Sequence, residues 1–556
     1  MDLESNDQFV KPVESTDQSV QDARDLAALG HDQALSRKFD MWSMFALAFC
    51  VLGMRLSSLS RGTRLADCIG TYSTFAQDLS SGLTNGGAIT ILWGLVLVTF
   101  CNICVAVSLG ELTSSMPTAL GQAYWVYRLW PSPIGRFVSY MCAWINTFGW
   151  WTLTASQVAF MTDFTLGVKT MFVPDWSGAN TGWLQFVIYI GFVFLLTLIN
   201  VVGCRHEKTL PWINNFVGVW FTGLFVVLSL VLLITVGVKD ELSYQPASFA
   251  FGGWINATGW SDGVVWFTGL VQAAYGLTAF DSVIHMVEEI PSPRTNAPKV
   301  TYMAVVVGAI TGFIFMVVCL FCMQDVDEIK QSDLPFIDLM LETIGLEGGV
   351  TLIVLFIFNG LGQGISILTT GSRLTWGFAR DGGMLFSRYL SHIDATWKAP
   401  VRALWFQGFI VALVGILYLF ANTVLQAILS VSTIALTISY ALPISALLVV
   451  GRDKLPPGQF SLGRLGAPAN YVSVIYCIIT TIFFFFPGMP NPKPGDMNFA
   501  IAVFGVMLVI AFSFWFIQGN RTYLNTEEAI AEMVQAQRME TADQPVGAPR
   551  ESDAKK

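Results

Sequence analysis

From about residue 41 onward the chain is a succession of apolar runs, each roughly 20 residues long, and a chain written this way has few structures open to it. Hydrocarbon offers no partner to a backbone N–H or C=O, so each run has to close its own hydrogen bonds as a helix. The runs cover about 41–80 (interrupted), 88–109, 137–166, 183–203, 212–237, 264–288, 299–323, 350–379, 402–420, 423–450, 469–487 and 498–518. That makes about twelve spans and an all-α polytopic membrane protein. Composition agrees: 54% of residues are hydrophobic and only 12% charged, against roughly a quarter charged in soluble domains.

Other classes find little support. The net charge of −9 comes largely from the polar tails and loops, and no basic patch with interleaved aromatics points to nucleic acid. The nine cysteines show no zinc-ligand or secreted-framework pattern. Cys101/Cys104 and Cys319/Cys322 have CxxC-like spacing, but inside apolar helices they read as packing. No P-loop, metal motif or nucleophile–base pair stands out, so neither a primary pump nor an enzyme is expected, and no cofactor.

Residues 1–40 are polar and acidic and lack an early apolar run behind a basic start, so they read as a disordered cytosolic tail without a cleavable signal peptide. Residues 520–556 form a second polar tail. The connections after spans 2, 4, 6, 8 and 10 hold most of the loop arginines and lysines, including Arg128, Arg205, Arg294, Arg380 and Arg452. The opposite connections hold far fewer, among them Lys169, Lys239, Lys330 and Lys493. Positive charge stays on the cytosolic side, which places both termini inside. The sequon at Asn256 then falls in an outward loop open to glycosylation, whereas that at Asn520 falls inside.

The first run is broken by an insert. Residues 39–53 and 71–82 read as two halves of one span, but between them Arg55, Arg61, Arg64 and Asp67 fall at what should be bilayer depth. Each central arginine costs about 2.5–3.5 kcal/mol on insertion scales. Two readings of residues 54–70 stand. One is a re-entrant or outward loop that splits the span. The other is translated intron: Gly-Met-Arg permits a GTATGAG-like donor, Ala-Asp a CTGAC-like branch point and Ile-Gly an ATAG acceptor, and excision restores the continuous run AFCVLG-TYSTFAQ.

The sixth run, residues 264–293, carries Gly276, Thr278, Asp281 and His285 in its middle and ends in Glu288, Glu289 and a proline pair. Such a polar centre is tolerated in a span only where it faces protein, water or a ligand. It is therefore the expected core of a solute site.

With residues 54–70 set aside, the chain resembles the amino acid-polyamine-organocation superfamily, in particular the fungal amino acid/choline permease group that includes GABA and choline permeases. The resemblance rests on the joined TYSTF segment followed by LSSGLTNGG (79–87), on GELTSSMPTALGQAYWV (110–126), on FDSVIHMVEEIPSPRTNAPK (280–299) and on GSRLTWGFARDGGM (371–384). It implies an inverted repeat of five plus five spans (41–237 against 264–450) with two spans added at 469–518. It further implies that spans 1 and 6 unwind midway, where glycine makes a break cheap and half-helix ends face the solute. Here that would place Gly53 or Gly70 with Thr71, Tyr72 and Ser73 in one break. Tyr275, Gly276, Thr278, Ala279, Phe280 and Asp281 would form the other. Many relatives carry glycine where Ala279 stands.

Each singled-out residue has a plainer reading beside the functional one. Asp281 would contact a solute ammonium or carry a coupling proton; otherwise neighbouring backbone holds it to fix the unwound segment. His285, one turn later, would relay protons or simply pack. Glu288 and Glu289, beside Arg294 and Lys299, would close an ion-pair gate or lie on a solvated helix end. Glu111 would help gate the inner end or snorkel to the interface. Asn146, Trp150 and Trp151 of span 3 would line the cavity, aromatic faces suiting an amine, or pack. Asn359, Gln363 and Ser366 of span 8 would touch solute or form a polar seam. The GLGQG at 360–364 reads as close helix packing, since no strand precedes it.

The expected function is therefore a secondary active transporter of the plasma membrane. It would import a small amine-containing solute, an amino acid such as GABA or choline, by alternating access and driven by protons. A non-transporting nutrient receptor on the same scaffold is the alternative.

Overall fold

The computed structural model describes residues 14–525 except 32, 36, 40–42, 45, 49–70, 175, 207, 395–396, 420–421 and 494–498. Gly53, Gly70 and the insert 54–70 lie outside the described residues. Among the described residues the chain is helical, with isolated bridges (Asn85 to Asn256, Asp394 to Ala399) as its only β pairing. Nine helices there are long and apolar enough to cross a membrane: Gly87–Ser115, Gly182–Cys204, Thr209–Val238, Pro293–Cys322, Leu346–Arg380, Val401–Leu419, Ser430–Val450, Gly463–Phe484 and Ala500–Thr522. They correspond to spans 2, 4, 5 and 7 to 12.

The other three spans fall short for physical reasons that matter later. Span 3 is the longest helix, Pro133–Phe172, but it buries Asn146, Thr147, Thr152, Thr154, Ser156, Gln157 and Thr162, so its apolar density is low. Span 1 is described in two parts: residues 43–44 and 46–48 are helical and buried, and from Thr71 the chain runs as Tyr72–Gln77 and Leu79–Thr84 with Asp78 at the joint. Span 6 is split into Asp262–Thr268, Leu270–Gly276 and Ser282–His285.

Span 3 packs against spans 8 and 10, span 5 against spans 7 and 8, span 2 against span 7, and span 4 against span 9. Span 8 is 67% buried over its most apolar stretch, span 12 only 22%, so span 8 runs through the centre and span 12 along the lipid-facing rim. Val506, Val509 and Phe516 of span 12 are accordingly exposed, as apolar side chains against hydrocarbon should be.

Glycines set the closest approaches. A Cβ on Gly276 or Gly312 would sit 2.3 or 2.1 Å from the Phe75 ring, so span 1 nests between spans 6 and 7 only because both present bare backbone. The GLGQG segment does the same for span 8: a Cβ on Gly360 would meet Met161, on Gly362 Val217 and on Gly364 Leu196. Its glycines are contact points for spans 3, 4 and 5.

The N-terminal segment differs from the expected tail over its described part. Residues Glu14–Ala27 form a helix, and the segment after it reaches back onto the end of the bundle that carries most of the loop arginines and lysines. Asp22 pairs with Arg37 and accepts from the Ser292 N–H at 3.0 Å, Asp25 pairs with Arg294 at 2.8 Å, and Gln33 donates to the Glu288 carbonyl at 2.9 Å. The Phe39 N–H donates to Glu289 O at 3.2 Å, and Tyr124 donates to Leu29 O at 2.8 Å. Composition marks this stretch as polar, but its polar groups are spent on specific partners in the bundle.

Candidate functional site

The sixth span breaks between Gly276 and Ser282. Tyr275 and Gly276, expected in the break, are the last residues of the preceding helix, and the irregular stretch runs from Leu277 to Asp281. Ala279 stands in the left-handed region at φ 67°, a conformation that costs a non-glycine residue on the order of 1 kcal/mol or more. The opened backbone is held by side chains from elsewhere. Asn102 of span 2 donates to Leu277 O at 3.2 Å, and the Ala279 N–H donates to the Tyr440 hydroxyl of span 10 at 3.2 Å.

Asp281 is fully buried and is held by side chains rather than by neighbouring backbone. Its Oδ1 accepts from Tyr440 at 2.7 Å, and its Oδ2 accepts from Gln122 Nε2 at 2.8 Å and lies 3.0 Å from His285 Nε2. Gln122 Oε1 in turn accepts from Asn146 Nδ2 at 3.1 Å. The other imidazole nitrogen, Nδ1, lies 2.9 Å from Ala119 O, and Trp150 meets the ring edge-on at 5.8 Å between centroids. Gly121 lets the 118–122 loop approach this closely. Its φ is 55°, and a Cβ there would stand 2.8 Å from Ile284.

The proton count of this cluster follows from its partners. A carbonyl oxygen only accepts, so His285 Nδ1 carries hydrogen. The 3.0 Å contact between Nε2 and Asp281 Oδ2, with Asn146 Nδ2 3.4 Å from the same nitrogen, is then a position for one proton, held either as imidazolium with carboxylate or as neutral imidazole with carboxylic acid. Without that proton, lone pairs would face each other in a buried site.

The next layer is made of ion pairs. Glu288, Glu289 and Glu111 are 3%, 1% and 2% exposed, so none lies on a solvated helix end or snorkels. Glu288 takes both carboxylate oxygens to Arg380 Nη1, at 3.0 and 2.9 Å, and accepts from the Ala119 N–H at 3.0 Å. Glu289 accepts from Arg373 Nε at 2.8 Å. The partners are therefore two span 8 arginines and not Arg294, which pairs with Asp25. Glu111 accepts from Arg452 Nη2 at 2.9 and 2.7 Å and from the Leu462 N–H at 2.9 Å.

The remaining expected residues divide. Thr71, Tyr72 and Ser73 are buried at the start of the second half of span 1. Thr71 lies against Gly308, and Tyr72 lies edge-on to Phe225 and Phe315. Gln363 donates to Thr74 at 3.1 Å, tying span 8 to span 1, while Ser366 donates to Asn214 of span 5 at 3.3 Å, a polar seam. Asn359 is buried with neither amide atom hydrogen-bonded to another described residue. Thr278 and Phe280 lie in the break itself, both buried. Trp151 donates to Thr375 at 3.0 Å, a packing role. Asn256 is exposed at the opposite end, its amide donating to Trp260 O and Asp262.

A multi-pass helical membrane protein with a broken, carboxylate-bearing span beside a glycine-lined partner belongs to the class that moves small solutes through its own core. Residues 39–512 match the amino acid permease family model, and the chain belongs to that family, whose members are transporters. Among its relatives, a choline transporter of Saccharomyces cerevisiae is 26% identical, the match covering 95% of this chain and 88% of that protein. An uncharacterized amino-acid permease of Schizosaccharomyces pombe is 25% identical (90% and 86% covered), and an amino-acid permease of Arabidopsis thaliana 24% identical (90% and 95% covered).

Proposed function

We propose that the protein is a proton-coupled secondary transporter that imports a small amine-containing solute, choline or an amino acid such as GABA, across the plasma membrane by alternating access. The observation that carries this reading is the broken sixth span, with Asp281 and His285 sharing one proton position immediately after the break. The packing pairs support an inverted repeat. Exchanging each of the first ten spans for the one five places away maps span 2 with 7, span 3 with 8 and span 4 with 9 onto themselves, and span 3 with 10 onto span 8 with 5.

The coupling step follows from the network. In the proton-loaded state His285 holds Ala119 O, and the same Ala119 peptide segment gives its N–H to Glu288 in the ion-pair layer. Loss of the shared proton sets Nε2 against Oδ2 and loosens that connection. The basic end, which loop charge assigns to the cytosol, is then released to open. Both termini lie on that side in this reading.

Uptake of labelled choline, GABA and a panel of amino acids into transporter-deficient yeast tests the assignment, with the full chain and a form lacking residues 54–70 assayed side by side. Uptake of at least one by at least one of the two forms, abolished by a protonophore, is the expected result. Uptake of none by either form contradicts it.

A further inference from the structure

A second polar space lies on the other side of the break from His285. It is lined by Asp78 and Ser81 of span 1, Tyr275 of span 6, Phe160 of span 3, and Ser430 and Thr433 of span 10, and has a volume of about 50 Å3. One water needs roughly 10–15 Å3 by such a measure, so the space takes a group several heavy atoms in size.

Its chemistry has one sign. Asp78 supplies a carboxylate, none of the lining residues is basic, and among the described residues no cation pairs with it. Its hydrogen bond comes from Ser81 Oγ at 2.6 Å, which leaves most of the acceptor capacity of a carboxylate unused. Thr433 is 1% exposed, and its hydroxyl has no hydrogen-bond partner among the described residues although it lines this space. Phe160 and Tyr275, with ring centroids 6.0 Å apart, add two aromatic rings to the wall. A carboxylate within an apolar bundle with no counter-ion among the described residues calls for a cationic partner, and aromatic walls favour a weakly hydrated organic cation over a small inorganic one.

We infer that this cavity is the subsite for the ammonium or quaternary-ammonium head of the solute, with Asp78 as its counter-ion. The inference rests on the transport reading and deepens it. Three of the four elements lining the cavity, spans 1, 6 and 10, also frame the break, so a bound head group bridges the segments that alternating access has to move. A solute whose only charge is positive is fully matched here, whereas a zwitterion must find a partner for its carboxylate elsewhere.

The test is thermal stabilisation of the purified full chain in detergent. The probes are choline, its uncharged carbon analogue 3,3-dimethyl-1-butanol, glycine betaine, GABA, and sodium chloride at matched ionic strength. Choline should raise the melting temperature of the wild type, the uncharged analogue and sodium should not, and glycine betaine should act more weakly. D78N should weaken the half-saturating choline concentration at least tenfold, with D78E between the two. Equal stabilisation by choline and its uncharged analogue, or by sodium, overturns the inference on the wild type alone, even if D78N does not fold. GABA stabilising the wild type and D78N alike, with choline inert, overturns the cation subsite and leaves the transport reading standing. No response to any probe, together with no uptake in yeast, overturns both.

Discussion

Ala119 accepts from His285 Nδ1 through its carbonyl oxygen, at 2.9 Å, and donates its own N–H to Glu288, at 3.0 Å. One residue of the loop between spans 2 and 3 thus joins the Asp281–His285 pair to the ion-pair layer at the basic end. In the proposed mechanism, a change of protonation deep in the bundle has a short path to those ion pairs.

The ion-pair layer gives the first expectation. Removing Arg380 leaves Glu288 buried with only the Ala119 N–H, and breaking a buried pair this way typically costs about 3–5 kcal/mol. R380A should lower the melting temperature markedly, and E288Q combined with R380M should recover most of the loss. Thermal unfolding of the wild type and the two variants measures it. An R380A variant as stable as the wild type would remove the pair from the account.

The unwound stretch gives the second. Ala279 at φ 67° is strained where glycine would not be. A279G should be active and as stable as the wild type or more so, by up to about 1 kcal/mol. A279V adds a β-branch in the same conformation and should lose both uptake and stability. Uptake and melting temperature of both variants check the pair of expectations.

The N-terminal segment gives the third. With Asp22, Asp25, Gln33 and Phe39 bound to residues 288–294 and Arg37, it forms a strap across the end of span 6. Deleting residues 14–31 should raise the labelling rate of a cysteine placed at the buried Thr118 by a thiol reagent applied from the basic side. An unchanged rate would mean that the strap is passive.

Much of this architecture was legible in the sequence, and the omissions have physical causes. Apolar runs mark helices because hydrocarbon forces them, and a carboxylate inside such a run marks Asp281. The same criterion applies to Asp78, which lies in the 71–82 half of the broken first span, where the arginines of the insert draw the attention instead. Gln122 lies within the quoted 110–126 segment without standing out, at the start of the helix Gln122–Leu129, and Tyr440 is one tyrosine in an apolar helix; both are ordinary residues until the fold brings them to Asp281. Nor does spacing reveal that Glu288 and Glu289 reach arginines of span 8 in preference to Arg294, six residues or fewer away in the chain. That choice depends on which helix lies behind the break.

The insert at residues 54–70 gives the fourth. It adjoins Thr71, which lies against Gly308 at the start of the second half of span 1. A version lacking these residues should transport, and the full chain should transport weakly or not at all. Equal uptake by the two contradicts this, and mature message that always carries these codons ends the intron reading.

The central claim is that the proton shared by Asp281 and His285 drives transport. It is tested most directly in proteoliposomes with an imposed proton gradient, using whichever of the two forms transports and the solute identified in yeast. The wild type should accumulate that solute above its equilibrium level and lose the accumulation when the gradient is collapsed. D281N and H285A should still exchange solute across the membrane without accumulating it. Accumulation that survives collapse of the gradient, or that is equal in the wild type and D281N, would contradict the account.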